Sequence, residues 1–425
     1  MNILVFSGAI SPYRGSEAAV GWNFVSQISA SNRLYVIYGG NSYKKDIEKY
    51  LSQNSMPNVK FVYAGDHQEK INWERHPYLG YYLAMKYYHQ WHYKVLDIAR
   101  QVINTYKIDV IHYLNPIGFR EPGYLYKLRK PYVWGPVEGV EDYPFKLYST
   151  MRLRGWIEGL SRWVLLNTKF RWSRQIKEAV KRCNIIISAT PKTKNDFQKY
   201  YSKSTIYIPE NAILKIENNI PIEYSNNDKL NIISVGQLSD RKGYIIQLLV
   251  VRRLLELGFN QFKWTIIGQG YNYKYLTNYI RKYNLSDYIV MAGSMSRDNV
   301  YDYYRQSHLN VITSLSEATT TVLWEAMSLG IPTLSLNHCG MGGVLSNEDS
   351  FLIPLGNSNF VVNHIVECIR KIFECPVLIN MKSKLTIDLA KANLWSNRVE
   401  KFNKIYNLAI ADYNEKNNNN NHSNI

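Results

Sequence analysis

Cysteine is scarce in this 425-residue chain, with four in all. Cys183, Cys339, Cys368 and Cys375 form no CxxC pair and no even framework, and Cys368 and Cys375 lie on one expected helix. The pattern argues against a disulfide scaffold and points to a reducing compartment. His364 near Cys368 is too little for a metal centre, which needs three or four converging ligands. The chain has no run of about eighteen uncharged apolar residues, so no transmembrane helix is expected. Its opening, Met1-Asn2-Ile3-Leu4-Val5-Phe6-Ser7-Gly8-Ala9, has no basic stretch, and its apolar run is too short for a signal peptide. A cytoplasmic protein is expected, soluble or peripheral at the inner face of the plasma membrane. No helix-turn-helix, RRM or zinc motif accompanies the charge, which argues against a nucleic-acid partner.

What is present is ample apolar material, 46% of residues against 20% charged, enough for two cores. The formal charge of +17 implies attraction to anionic partners, whether phosphorylated substrates or anionic lipid. The 35 tyrosines, with many Asn and Lys, match the bias that an AT-rich genome imposes without any function.

Short apolar runs alternate with helical stretches along the whole chain. Residues 3–7, 34–38, 59–63, 109–113, 131–134, 185–188 and 205–208 read as strands, with helical material over 16–30 and 80–107. Residues 215–228 are polar and read as a linker. The alternation then restarts, with strands at 230–235, 263–267, 289–292, 309–312 and 332–336. This predicts two doubly wound parallel-sheet domains, whose ligands would sit at the carboxyl ends of the strands in a cleft between them. The expected boundaries are a first domain over 1–214, the linker, a second domain over 229–390, a helix over 391–413 packing back on the first domain, and a disordered tail over 414–425.

The 145–182 segment interleaves Arg152, Arg154, Arg162, Lys169, Arg171 and Arg174 with Trp156, Leu160, Trp163 and Trp172. Two readings fit: a basic helix whose Trp/Leu face lies in an anionic membrane surface, or a solvated basic face whose tryptophans pack into the domain.

Chemistry concentrates after the 309–312 strand, in Ser314-Leu-Ser-Glu317-Ala-Thr-Thr-Thr-Val-Leu-Trp-Glu325-Ala-Met. Glu317 falls in the loop at that strand's carboxyl end. Thr319, Thr320 and Thr321 are helix-capping residues, so the amides of Thr320, Thr321 and Val322 would face the crevice as an anion site. In isolation the two acids read as no more than a loop charge and a surface helix charge. His338-Cys339-Gly340-Met341-Gly342-Gly343 follows a later strand. Adjacent His and Cys rarely face each other, which argues against a cysteine nucleophile.

The Glu-x7-Glu spacing, followed by Ala-Met-x-x-Gly-x-Pro, resembles the signature of retaining glycosyltransferase family 4 (GT-B fold, glycosyl transferases group 1). Val235-Gly236-Gln237-Leu238-Ser239-Asp240-Arg241-Lys242-Gly243 is similar to that family's donor-phosphate loop, and Ile266-Ile267-Gly268-Gln269-Gly270 to its next strand-turn. Ser11-Pro12-Tyr13-Arg14-Gly15-Ser16-Glu17, Ile208-Pro209-Glu210-Asn211-Ala212 and the pair Trp395 and Tyr406 extend the resemblance over nearly the whole chain.

The resemblance implies a GT-B hexosyltransferase that moves a sugar, with retention, from a nucleotide-diphosphate donor to a glycan or lipid-linked acceptor in surface polysaccharide biosynthesis. Glu317 and Lys242 would be catalytic, with Glu317 holding hydroxyls of the moving sugar and Lys242 neutralising the diphosphate. Glu325 would bind ribose hydroxyls. Gly15, Gly236, Gln237, Arg241, Gly268, Thr320, Thr321 and Val322 would complete the donor site. No cofactor and no metal are implied, because lysine and the helix dipole take a cation's place. Two departures stand out. Gln237 occupies a position where the family usually has arginine, for which Arg241 or Arg14 is the candidate substitute. Gly135-Pro136-Val137-Glu138-Gly139 stands where the family often carries a histidine, leaving Glu138, His112 and Arg120 as acceptor-side candidates. A non-hydrolysing sugar-nucleotide epimerase and a catalytically silent sugar-nucleotide-binding partner remain as alternatives.

Overall fold

The computed structural model describes residues 1–66, 77–139, 141–225 and 227–422. The chain forms two compact units. Met1–Val140, Thr168–Glu210 and Trp395–Ile425 make the first, and Glu141–Asn167 with Asn211–Leu394 the second.

The first unit is built on β1 (Asn2–Ser7), β2 (Arg33–Tyr38), β3 (Val59–Tyr63), β4 (Val110–Asn115), β5 (Tyr132–Val137), β6 (Ile185–Ser188) and β7 (Ile206–Tyr207), in the order β3-β2-β1-β4-β5-β6-β7. Every pairing is parallel. The central strands are continuous apolar runs because helices cover both faces of a parallel sheet. The second unit repeats the plan with β8 (Leu230–Val235), β9 (Phe262–Ile267), β10 (Ile289–Gly293), β11 (Leu309–Ile312), β12 (Thr333–Leu336) and β13 (Phe351–Ile353). Their order is β10-β9-β8-β11-β12-β13, again all parallel. Counted within its unit, this is the 3-2-1-4-5-6 order of dinucleotide-binding sheets. The order in which strands are added reverses between β8 and β11, where such sheets bind ligands.

The units differ from the expected boundaries in three places. Residues 141–167 belong to the second unit, since Tyr143, Leu147, Tyr148 and Met151 enter its core beside Leu230, Ile232 and Trp264. The expected linker is likewise packed down. The Glu217 and Asn218 amides donate to the Ser328 carbonyl at 2.8 and 3.1 Å, the Ile222 amide donates to Ser383 Oγ, and Tyr224 is buried. Finally, the last helix spans Trp395–His422 and so continues through most of the tail expected to be disordered, aided by an i,i+4 Asp412–Lys416 ion pair at 2.6 Å. Residues 423–425 of that tail lie outside the described residues.

This last helix docks within the first unit. Phe24 meets Phe402 edge-on at 5.0 Å. Arg398, buried, donates to the Pro209 carbonyl at 2.6 Å. Burial lowers its pKa to about 10, opposed by the charge of Glu210. That contact explains the Ile208-Pro209-Glu210 motif as an anchor for the helix. Among the described residues no helix is long and apolar enough to cross a membrane.

Candidate active site

Two loops of the second unit are laced together at the β8/β11 reversal. Gly243 adopts a left-handed φ of 67°, and a Cβ there would stand 2.2 Å from the Thr313 carbonyl oxygen, so only glycine permits the approach. Thr313 Oγ1 donates to the carbonyls of Lys242 and Gly243 at 3.1 Å each, and the Leu315 amide donates to the Arg241 carbonyl at 2.7 Å. This lacing carries Arg241 and Lys242 to the loop bearing Glu317.

There Lys242 Nζ lies 2.5 Å from Glu317 Oε1, and the Arg241 guanidinium pairs with the same oxygen. Arg241 also donates to the Ser316 carbonyl at 2.9 Å. Lys242 Nζ reaches Thr320 Oγ1 at 3.5 Å, the limit of a hydrogen bond. The Lys242 and Glu317 side chains are only 11% and 12% exposed. Burial opposes ionisation of Glu317, but Lys242 and Arg241 outweigh it and hold the carboxyl below its usual range. The result is two fixed cations around one ionised acid.

Next to this cluster, Gly236 has a φ of 149°, and a Cβ on it would lie 3.7 Å from Lys242 Nζ. Gln237 is exposed. Gly268, with φ 147°, has a packing role, since its Cβ would fall 1.9 Å from the Gly236 carbonyl oxygen. The Thr321–Ser328 helix starts from Thr320, whose side chain makes no capping bond. The amides of Thr321 and Val322 in its first turn have no helical carbonyl before them. Glu325, one turn on, pairs with Arg297 Nε at 3.1 Å and is 14% exposed. Burial raises its pKa against the pull of Arg297.

The 141–142 backbone braces the Glu317 loop. Ser316 Oγ donates to the Glu141 carbonyl at 3.1 Å, as does Arg162 Nε at 2.5 Å. His338 Nε2 sits 3.2 Å from the Asp142 carbonyl and 3.1 Å from that of Leu315, and two acceptors require that this nitrogen carry the proton. A Cβ on Gly340 would stand 1.8 Å from the Ala318 carbonyl oxygen. Glu141, His338 and Cys339 bring potential ligand atoms within 4.8 Å of one another. Burial pushes the Cys339 thiol well above its usual range, keeping it protonated and a poor nucleophile.

The expected residues of the first unit fare differently. His112 does not face an open crevice. It is fully buried, Nδ1 lies 2.8 Å from Tyr406 Oη and Nε2 2.6 Å from the Gly135 carbonyl, and burial lowers its pKa to about 4. This corrects its place among acceptor-side candidates: it anchors the last helix. Arg14 pairs with Asp46 at 2.5 Å. Gly15 borders open space, since a Cβ on it would meet nothing within 4 Å. Arg120 and Glu138 are half-buried. Glu138 lies near enough to Glu17 to help raise its pKa, after burial as the main cause. Glu17 Oε1 accepts the Ile117 amide at 2.6 Å.

Sequence reasoning missed Arg297, Arg398, His338 as a clamp, and the proximity of Glu17 to Glu138. Each depends on a partner from another element, for which the sequence holds no local signal.

Residues 215–385 match the family described as glycosyl transferases group 1. The chain is 26% identical over 147 residues to the amylovoran biosynthesis glycosyltransferase AmsK of Erwinia amylovora, covering 33% of this chain and 36% of that protein. It is 30% identical over 132 residues to the putative colanic acid biosynthesis glycosyltransferase WcaL of Escherichia coli K12, covering 29% and 32%. The chain thus spans about a third of the length of these curated relatives. The crystal structure of Anabaena HepE in complex with UDP superposes with a TM-score of 0.61 at 14% identity, covering 95% of this chain and 100% of that one. The two parallel-sheet units are those of the GT-B fold, and the second carries the glycosyl transferases group 1 match.

Proposed function

We propose that this chain is a retaining glycosyltransferase that transfers a sugar from a nucleotide-diphosphate donor to a glycan or lipid-linked acceptor in surface polysaccharide biosynthesis. The observation that carries the reading is the ionised Glu317 held between Lys242 and Arg241 where the β8–β11 sheet reverses. Bond cleavage at the anomeric carbon leaves negative charge on the departing diphosphate. Lys242 and the Thr321 and Val322 amides supply fixed positive potential there, which needs no reorganisation as the charge develops. Glu317 accepts hydrogen bonds from sugar hydroxyls, and Glu325 from the ribose. No metal is required, because these groups stand where a cation would. Relatives named for amylovoran and colanic acid synthesis support the polysaccharide setting, and a fold neighbour holding UDP makes uridine donors the first to test.

The test is incubation with uridine, guanosine, adenosine and thymidine diphosphate sugars, with and without membrane extract as acceptor and with and without EDTA. Release of free nucleoside diphosphate that depends on extract and survives EDTA is expected, with the donor's anomeric configuration kept in the product. An isomerised donor would mark an epimerase instead. Nucleotide binding without release from any donor would mark a silent partner.

A further inference from the structure

The Leu153–Leu165 helix meets its own unit through glycines. Gly155 and Gly159 are its buried positions, and added Cβ atoms would lie 2.5 Å from Asp240 Cβ and 2.4 Å from Tyr148 Oη. One turn apart, they let the helix backbone lie flat on the unit. Its apolar stripe points the other way. Leu153, Trp156, Ile157, Leu160, Trp163 and Val164 recur at the three-and-four spacing of a single helical face. All six are exposed, by between 39% and 77%. A helix of a water-soluble domain normally buries such a stripe, so the amphipathy here is inverted.

Cations flank the stripe. Lys146, Arg152 and Arg154 are exposed. Arg152 donates to Asn272 Oδ1 at 3.2 Å, which fixes its position without cancelling its charge, and Arg154 has Glu158 at 3.1 Å. Across 145–165, Lys146, Arg152, Arg154 and Arg162 face Glu158 as the single acid.

We infer that the outward face of the Leu153–Leu165 helix docks on an anionic lipid bilayer, with Trp156, Ile157 and Leu160 entering the headgroup–acyl boundary and Lys146, Arg152 and Arg154 over the lipid phosphates. Tryptophan favours that boundary, and a helix with these two faces lies in its plane. A second copy of the chain is the weaker occupant, because a two-fold interface would press these cations against one another. The surface uses no donor-site residue, so it stands independently of the proposed activity.

The test is co-sedimentation of the full chain with vesicles of phosphatidylcholine alone and of phosphatidylcholine mixed with phosphatidylglycerol, at low and high salt. Binding to the mixed vesicles, weakened by salt and accompanied by a blue shift of tryptophan emission, is expected. Combined Trp156→Ser, Ile157→Ser and Leu160→Ser changes should weaken it roughly tenfold or more, with the melting temperature lowered only modestly, since the three side chains are about half-exposed and Trp156 alone among them gives up a ring contact, to Tyr148. Lys146→Glu with Arg154→Glu should weaken it as well, and gives the readout if the serine variant fails to fold. Absence of binding at low salt overturns the inference, as does equal binding to neutral vesicles or undiminished binding by the folded serine variant. A concentration-dependent dimer that the serine variant abolishes would assign the face to a second copy.

Discussion

Replacing Lys242 with alanine tests the centre of the proposed site. Its ammonium stands 2.5 Å from the Glu317 carboxylate, and both side chains are nearly buried. With an effective dielectric of about 20, that contact is worth about 7 kcal/mol before desolvation is subtracted. Removing one partner of a buried pair typically costs about 3–5 kcal/mol. Here Arg241 remains on the same oxygen, so about 2 kcal/mol of stability should be lost, with Glu317 still ionised at neutral pH. The kinetic effect should be larger, because the fixed charge meeting the leaving diphosphate is gone. A loss of roughly 10²–10³-fold in kcat is expected from mutations of such preorganised groups. Lys242→Arg keeps the charge and should stay within about tenfold of the parent, on the same reasoning. The assay is the initial rate of nucleoside diphosphate release, read beside a thermal melt and nucleotide affinity. Lys242→Ala turning over within about twofold of the parent, or no more slowly than Lys242→Arg, would refute the assignment.

Glu325→Ala should raise the Kd for the nucleotide while leaving affinity for a bare diphosphate unchanged; equal losses for both would remove Glu325 from the ribose. Gln237→Arg adds a cation beside Gly236 at the exposed edge of the loop, so nucleotide affinity should rise severalfold at low salt, by roughly 1 kcal/mol, and the gain should fade as salt increases; titration calorimetry reads both. Gly268→Ala would drive a Cβ into the Gly236 carbonyl, so a melting point lowered by the equivalent of about 2 kcal/mol or more is expected, with donor affinity reduced as the 236–237 loop shifts. His112, neutral in the fold with its pKa lowered to about 4, refuses a proton that the unfolded chain takes up near pH 6.5. Its contribution is therefore whole above about pH 6.5 and is lost as pH falls toward 4, up to about 3 kcal/mol, and urea melts of His112→Gln should show a flatter acid limb than the parent.

Much of the architecture is written in local pattern. The runs at 59–63, 185–188, 230–235 and 309–312 are strands with the very ends that their apolar stretches predict, because apolar residues dominate each run even where Lys60, Asn231 or Asn310 interrupts it. Glu317 is legible because it sits in the loop after a strand, where topology leaves the chain free to carry chemistry, and Lys242 through the resemblance of its loop to a donor-phosphate loop. Placement between elements is not local and was not legible. The 141–167 segment shows its apolar residues in sequence but not that Tyr143, Leu147, Tyr148 and Met151 enter the second unit's core, and the buried face of its Leu153–Leu165 helix is glycine, which carries no hydrophobic signal. His112 follows the same logic. At a strand's end it reads as structural or pocket-lining, and only Tyr406, 294 residues away, decides for the structural role. The tail's asparagines read as disorder because their helix preference is weak, yet a helix already anchored by Arg398, Phe402 and Tyr406 extends through them.

The charge count at the site gives the departure at position 237 its meaning. Arg241 is not an idle substitute for the arginine expected there, since its guanidinium is already committed to Glu317 and the Ser316 carbonyl. Arg14 is committed to Asp46 in the first unit. Lys242 and Arg241 together carry two positive charges and Glu317 one negative, so the cluster offers a net charge of +1 and the helix start adds about half a charge more. On the proposed reading, a diphosphate must therefore compete with Glu317 for its cations. That competition has a chemical use. A carboxylate relieved of part of its ion pairing becomes a stronger acceptor for sugar hydroxyls, so arrival of the phosphate readies the group that grips the sugar. With a second arginine at position 237 the phosphate would bind without disturbing Glu317, and the two events would uncouple.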